Sequence, residues 1–229
     1  MEKALVLLSG GLDSAVTLAL AVSRHGNENV IGLSIYYGQR HNKELEFAQK
    51  LANHYQIKRK ELDLSPLFYD KNCSLLSSSN LEIPEEEYSK LHEQNDAPIS
   101  TYVPFRNGLF LSVAASIALQ EGCSIIYYGI HGDEGADSAY PDTSSAFHES
   151  ISKAIEEGSG HQVRLDAPFV TSTKAGVVEK GIELGVPFEY TWSCYNDADT
   201  PCLKCPTCLD RLKAFKANEM EDPLLARKR

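Results

Sequence analysis

Apolar residues along the chain alternate between two spacings. Ala4-Leu5-Val6-Leu7-Leu8, Val30-Ile31-Gly32-Leu33-Ser34-Ile35-Tyr36-Tyr37 and Cys123-Ser124-Ile125-Ile126-Tyr127-Tyr128 are short, nearly continuous apolar runs. That is the pattern of strands covered on both faces. Residues 58–64 read as a third strand in chain order, ending before Pro66, and residues 162–167 as a short fifth. Between the runs the period lengthens to that of helices over residues 15–22, 44–52, 109–119, 144–157 and 174–184. Thr143 or Ser144 can cap the fourth of these, Thr171, Ser172 or Thr173 the fifth, and Gly185 stops it. Strands alternating with helices predict an α/β domain, doubly wound on a mainly parallel five-stranded sheet. Ligands of such sheets sit outside the carboxyl ends of the strands. Residues 9–14, 37–41, 129–142 and the stretch before Lys174 all follow predicted strands, so they are expected to converge there.

Residues 65–100 interrupt the alternation with Ser74-Leu75-Leu76-Ser77-Ser78-Ser79, Glu85-Glu86-Glu87 and a polar stretch up to Ala97-Pro98. So long a segment without periodicity reads as an insertion or a lid. The expected organisation is a nucleotide-type domain over 1–190, a small cysteine-rich appendage with a helix over 191–220, and a charged tail over 221–229.

Composition is that of an ordinary globular chain, with 42% hydrophobic and 24% charged residues. A net charge of -10 argues against nucleic acid and acidic membranes as partners and favours small ligands. The basic clusters Lys58-Arg59-Lys60 and Arg227-Lys228-Arg229 read as solvated surface. No apolar run approaches the roughly 20 residues that span a bilayer, and the N-terminus lacks a signal-peptide pattern, so a cytoplasmic protein is expected.

Candidate chemistry begins at Ser9-Gly10-Gly11-Leu12-Asp13-Ser14, between the first strand and the first helix. Adjacent glycines let backbone amides approach an anion, and the helix N-terminus aims its N–H groups at the same point. Ser9 and Ser14 add hydroxyls, and Asp13 can orient the loop or hold Mg2+. The string lacks the Gly-Lys-Ser/Thr ending of Walker A and the G-x-G-x-x-G of dinucleotide folds. It resembles the pyrophosphatase loop of N-type ATP pyrophosphatases, which split ATP to AMP and pyrophosphate.

Four of the six cysteines, Cys194, Cys202, Cys205 and Cys208, follow the spacing C-x7-C-x2-C-x2-C. Four thiolates suit one structural, tetrahedral Zn2+. An iron–sulfur cluster is the rival and a redox C-x-x-C pair the third reading. Cys73 and Cys123 have no local basic partner and read as small structural residues.

Taken together, these residues resemble the 7-cyano-7-deazaguanine synthase family of the queuosine pathway. The resemblance runs from residue 3 to about 217. It rests on residues 8–14, Tyr37-Gly38-Gln39-Arg40-His41, Thr101-Tyr102-Val103-Pro104-Phe105-Arg106-Asn107, Tyr140-Pro141-Asp142, Thr191-Trp192-Ser193-Cys194-Tyr195 and Cys205-Pro206-Thr207-Cys208. It implies an ATP-dependent carbon–nitrogen ligase that converts 7-carboxy-7-deazaguanine and ammonia to the amide and then the nitrile, activating each oxygen as an adenylate. It implies ATP, magnesium and one zinc per chain, and a homodimer. Asp13, Lys174 and Arg106 are then the expected catalytic residues. Leu8, Ser9, Gly10, Gly11, Leu12, Asp13, Ser14, Ser34 and Gly129 are expected to hold the nucleotide. Gln39, Arg40, Arg106, Asn107, Tyr140 and Asp142 are expected to hold the substrate. Asp142 offers two acceptors to a ring N–H beside an exocyclic amine, a match only a carboxylate makes without adding a donor. Its alternative role is capping the helix that begins near Ser144. Residues 130–139 fall in the family's variable substrate loop, and Thr143 stands where many members have cysteine. The alternatives are a phage-defence-type paralogue that stops at the amide or uses another acceptor, a tRNA-modifying enzyme with the same loop, and a non-catalytic zinc-knuckle interaction protein.

Overall fold

The computed structural model describes residues 2–40, 42–93, 99–132, 140–196 and 198–226. His41 of the 37–41 motif, Ala97-Pro98, residues 133–139 of the variable loop and Arg227-Lys228-Arg229 therefore lie outside the described residues. The most apolar run forms the central strand, β1 (Ala4–Leu7), flanked by β2 (Val30–Tyr36) and β4 (Ile125–Tyr127), with β3 (Lys58–Asp63) and β5 (Arg164–Asp166) at the edges. All four pairings are parallel, and Leu7 lies opposite Leu33 while Val6 faces Tyr127. The order β3-β2-β1-β4-β5 means that the chain winds outward from β1 and then crosses back. The crossing opens a crevice between the carboxyl ends of β1 and β4.

Helices cover both faces, as the continuous apolar strands require. One face of β1 and β4, with Val6, Leu8 and Tyr127, packs on α1 (Leu12–His25), α2 (Lys43–Tyr55), α6 (Lys174–Glu183) and α7 (Pro206–Ala217). The other, with Leu5, Leu33 and Ile126, packs on α4 (Arg106–Glu121) and α5 (Ser145–Gly158). Edge strand β3 alternates exposed charges, which blunts an open edge. The caps resolve to Ser144, whose Oγ accepts from the Phe147 N–H, and Thr173, whose Oγ1 accepts from Gly176 N–H. Gly185 ends α6 with φ +66°, the left-handed conformation a glycine tolerates.

The described part of 65–100 is not a free insertion. Cys73, Leu75 and Leu76 are buried with Tyr37 and Val103, and Leu76 bridges Gln39 in antiparallel fashion. Arg40 donates to the carbonyls of Leu76, Ser79 and Leu81 and so straps this segment down. A short helix, α3 (Tyr88–Glu93), follows. Burial pushes the Cys73 and Cys123 thiols up, consistent with inert packing residues.

The C-terminal segment is tied down by a buried ion pair. On α7, Arg211 Nε and Nη2 donate to Asp222 at 2.7 and 2.8 Å, while Nη1 reaches Thr191 Oγ1 at 2.7 Å. Both charged side chains are under 5% exposed. Arg211→Ala leaves the Asp222 carboxylate buried without its counter-charge. Its expected cost is about 3–5 kcal/mol in denaturant unfolding, and Arg211→Lys should also destabilise because it loses the two-pronged geometry.

Candidate functional site

Where β1 ends, the chain must turn beneath α2 to start α1. Gly10 does this with φ +93°, and a Cβ there would lie 2.0 Å from the Glu44 carbonyl oxygen, so only glycine fits. The hydroxyls of Ser9 and Ser14 accept from the N–H groups of Gly11 and Gly10 at 3.1 and 3.2 Å. Gly11 caps α1 without a side-chain bond, so the N–H groups of the first turn open toward the crevice. Gly129 closes the opposite wall, since a Cβ on it would come within 2.8 Å of the Asp13 carbonyl.

A cavity of about 410 Å³ fills the crevice. Leu8, Ser9, Gly11, Leu12, Asp13, Ser14, Gly129, Gln39, Arg106, Asn107, Tyr140, Asp142 and Lys174 all line it. Gly10 supports the turn from behind. Two further expected site residues, Ser34 and Arg40, also do not line the cavity. Ser34 is buried within β2, donating to Leu8 O at 2.6 Å and accepting from Arg59 Nε at 2.8 Å, so it braces the sheet. Arg40 is committed to the three carbonyls named above.

Asp13 and Lys174 meet across the crevice, with Nζ 2.5 Å from Oδ2. Lys174 begins α6 and is buried, whereas the Asp13 side chain is 23% exposed. Burial disfavours the Asp13 charge, but Lys174, His131 and the direct hydrogen bond outweigh it and hold its carboxyl below the usual range. Its other oxygen, Oδ1, is buried with no hydrogen-bond partner. An orphaned carboxylate oxygen beside a phosphate-type loop fits a divalent cation such as magnesium.

A second polar group forms around α4. The Asp142 carboxylate is buried and accepts from the Asn107 N–H at 2.8 Å, while Asn107 Nδ2 donates to the Asp142 carbonyl at 3.1 Å. Asp142 therefore caps α4, not α5, whose cap is Ser144. Burial raises its carboxyl above the ordinary range, against the Asn107 N–H and the nearby Arg106. Arg106 donates to Tyr37 OH at 3.1 Å and lies over the Tyr37 and Phe110 rings. Burial opposes its charge, but Tyr37, Asp142 and Tyr195 keep the guanidinium firmly protonated. Gln39 Oε1 accepts from the Tyr37 N–H, fixing that ring.

Tyr140, expected from the sequence, is joined in the wall by Tyr88 and Tyr195, which sequence reasoning did not assign a role. Tyr88 OH and Tyr195 OH lie 2.8 Å apart, Tyr140 OH and Thr101 Oγ1 2.6 Å apart, and the Tyr88 ring meets Tyr140 edge-on. Burial pushes all three phenols up, so they stay neutral. Tyr102 and Tyr195 sit within the quoted motifs, but Tyr88 lies in the 65–100 segment and carried no signal of its own.

The four clustered cysteines come together, their sulfurs all within 4.8 Å of one another. A tetrahedral ion with metal–sulfur bonds of about 2.3 Å needs sulfurs about 3.8 Å apart, so the set could hold one. Backbone N–H groups of Asn196 and Cys202 point at Cys194 Sγ, and those of Lys204 and Cys205 at Cys202 Sγ. Hydrogen bonds from Cys205 and Cys208 draw the Cys194 thiol down, and those two are pushed up as its donors. Four negative sulfurs cannot share this space without a cation. The knuckle also reaches the loop, because Trp192 donates its backbone N–H to Gly10 O and its indole N–H to Cys194 O, both at 2.9 Å.

The family model described as queuosine biosynthesis protein QueC matches residues 3–219. The 7-cyano-7-deazaguanine synthase of Archaeoglobus fulgidus is 39% identical over 225 residues, covering 98% of this chain and 90% of that protein. The protein of the same name from Nitratiruptor sp. is 39% identical, covering 97% of each chain. Among solved structures, the U34-tRNA thiolase NcsA from Methanococcus maripaludis aligns with a TM-score of 0.52 at 15% identity. That alignment covers 95% of this chain and 65% of the thiolase, a likeness of fold alone. Among the described residues, no helix is long and apolar enough to cross a membrane.

The Asp13–Lys174 pair makes Asp13 more than a surface turn residue. Asp13→Ala removes the counter-charge of a buried ammonium and should cost about 3 kcal/mol, with Asp13→Ala/Lys174→Met recovering more than half in a double-mutant cycle. A depressed carboxyl stabilises the fold above the unfolded value near about 3.9, and that contribution is lost as pH falls through the lower folded value. Acid unfolding of Asp13→Ala should accordingly show a smaller pH dependence below about 4 than the parent protein.

Proposed function

The chain belongs to the QueC family of queuosine biosynthesis proteins, and from that membership we propose that it ligates ammonia to 7-carboxy-7-deazaguanine and carries the product on to 7-cyano-7-deazaguanine, using one ATP for each step. The observation that carries the reading is one cavity lined both by the 9–14 loop with Asp13 and Lys174 and by Asp142, Arg106 and the tyrosines. Phosphate chemistry and recognition of a flat, polar heterocycle then share one enclosure.

In this reading the N–H groups that start α1 receive the ATP phosphates. Lys174 offsets the charge that develops on departing pyrophosphate. Magnesium on Asp13 would neutralise phosphate oxygens. The substrate carboxylate attacks the α-phosphorus and becomes an acyl adenylate. Ammonia adds to the acyl carbon, a proton is lost, and AMP leaves to give the amide. The amide oxygen is then adenylated by a second ATP, and loss of AMP with the remaining N–H proton leaves the C≡N bond. Arg106, held on Tyr37, is a fixed cation for the reacting carboxylate, and Asp142 accepts from the ring N–H and exocyclic amine. Tyr140 flanks the ring.

The cysteine knuckle is assigned one structural zinc. A four-iron cluster needs its thiolates spread around a larger body, whereas these sulfurs suit a single ion. With no open ligand position, the metal's role is to hold Trp192 and so the loop. The same reading has the chain working as a cytoplasmic homodimer, which sedimentation at micromolar concentration would test.

Two measurements bear on this. Incubation with ATP, ammonium and the 7-carboxy base should yield AMP and pyrophosphate, with the amide and then the nitrile appearing by mass spectrometry. Formation of ADP, or an amide that never advances, would point away from the synthase. Elemental analysis should give about one zinc per chain, with Cys205→Ser losing the metal and melting well below the parent. Iron in place of zinc, or undiminished stability in Cys205→Ser, would sink that assignment.

A further inference from the structure

Tyr128 follows β4 directly and lines the cavity, yet nothing above gives it a task. It is 3% exposed, and its hydroxyl lies 3.0 Å from His148 Nδ1 on α5. The same nitrogen is 3.5 Å from Ser152 Oγ, and the two rings are tilted by 38° at 5.7 Å. A buried phenol fixed by an imidazole on a helix is a built polar group.

Several neighbouring donors are already engaged. Asn107 gives its N–H and its amide to Asp142, Thr143 Oγ1 donates to the Tyr140 carbonyl, and Arg106 Nη1 donates to Tyr37. Asp142 supplies acceptors only when ionised. A guanine-like edge presents two donors, the ring N–H and the amine, next to one acceptor, the keto oxygen. A wall that reads it needs a donor beside the carboxylate. Burial, and then the Asp142 charge, push the Tyr128 phenol up, so it keeps its proton. Burial lowers His148 against Asp166 and Glu149, leaving a neutral imidazole whose Nδ1–H tautomer can donate to the phenol oxygen.

Resting on the functional reading above, we propose that Tyr128, oriented by His148, donates a hydrogen bond to the keto oxygen of the substrate's heterocycle while Asp142 accepts from its ring N–H and amine. Tyr128 is then a specificity residue and His148 a positioning residue behind it. The arrangement rejects an edge that lacks the keto oxygen, because the buried hydroxyl would be left without an acceptor.

The test is a calorimetric binding cycle with two ligands, 7-carboxy-7-deazaguanine and its 6-thio analogue, in which the ring N–H is kept and sulfur, a poor acceptor, replaces the keto oxygen. Tyr128→Phe should weaken the keto ligand about tenfold and leave the second ligand within about twofold, with melting temperature unchanged. His148→Asn, whose amide can stand in for Nδ1–H, should stay near the parent, and His148→Phe should fall with Tyr128→Phe. Equal weakening of both ligands by Tyr128→Phe, or of neither, would overturn the proposal. So would two His148 variants that behave alike. If the parent protein binds ATP but neither heterocycle, the functional reading itself fails.

Discussion

Everything at the site depends on a turn that is held from outside itself. Gly10 leaves no room for a Cβ between the loop and α2, and the Trp192 N–H fixes its carbonyl from a segment some 180 residues later. The indole in turn grips the Cys194 carbonyl and packs on Phe47, with the Lys43 ammonium 5.0 Å from its ring centroid. Loop, α2 and knuckle therefore form one mechanical unit. A phosphate-type loop needs this, because a glycine turn left to itself samples many conformations, and pre-set donors stabilise developing charge without reorganising.

Two ion pairs have different jobs in that unit. Arg211–Asp222 is dry and satisfied on every side, so it fixes the C-terminal segment against residues 188–193, where neutral groups of equal size would serve about as well for stability alone. Asp13–Lys174 is partly wet, and one Asp13 oxygen has no hydrogen-bond partner. An unsatisfied polar atom at the start of a helix is a cost that a purely structural pair would not carry. The first pair belongs to folding and the second to the site.

Much of this was legible in the sequence because strong local rules wrote it. Continuous apolar runs marked β1, β2 and β4 and the two-sided cover, the adjacent glycines marked the loop, and the cysteine spacing marked the knuckle. The sequence is silent where a side chain's partner is distant along the chain. Ser34, expected from the resemblance to hold the nucleotide, has its hydroxyl bonded to Leu8 and Arg59. Arg40 sits in a motif beside the site and turns away to strap down 76–81. Asp142 was weighed as a cap for the helix next to it, and caps α4 instead, 35 residues back. No periodicity or spacing encodes such pairings, because each joins segments that only the tertiary fold brings together.

The same limit explains Tyr88. Its segment carries Glu85-Glu86-Glu87, which reads as a solvated run, and two of these acids do reach lysines of the knuckle. Lys204–Glu85 at 3.7 Å has side chains more than 60% exposed, and Lys213–Glu87 at 2.6 Å is also open to water. Pairs of that kind contribute about 0–1 kcal/mol and weaken with salt. They do not account for the position of the segment. The Tyr88–Tyr195 hydroxyl contact and the edge-on Tyr88–Tyr140 packing lie inside the cavity wall, where aromatic contact adds about 0.5–1.5 kcal/mol beyond burial. The polar surface of 81–87 is thus incidental, and one tyrosine inside an acidic stretch sets where that wall stands. A wall held by the residues that face the cavity cannot shift without altering it, so the aromatic lining is both the anchor of this segment and the surface it presents.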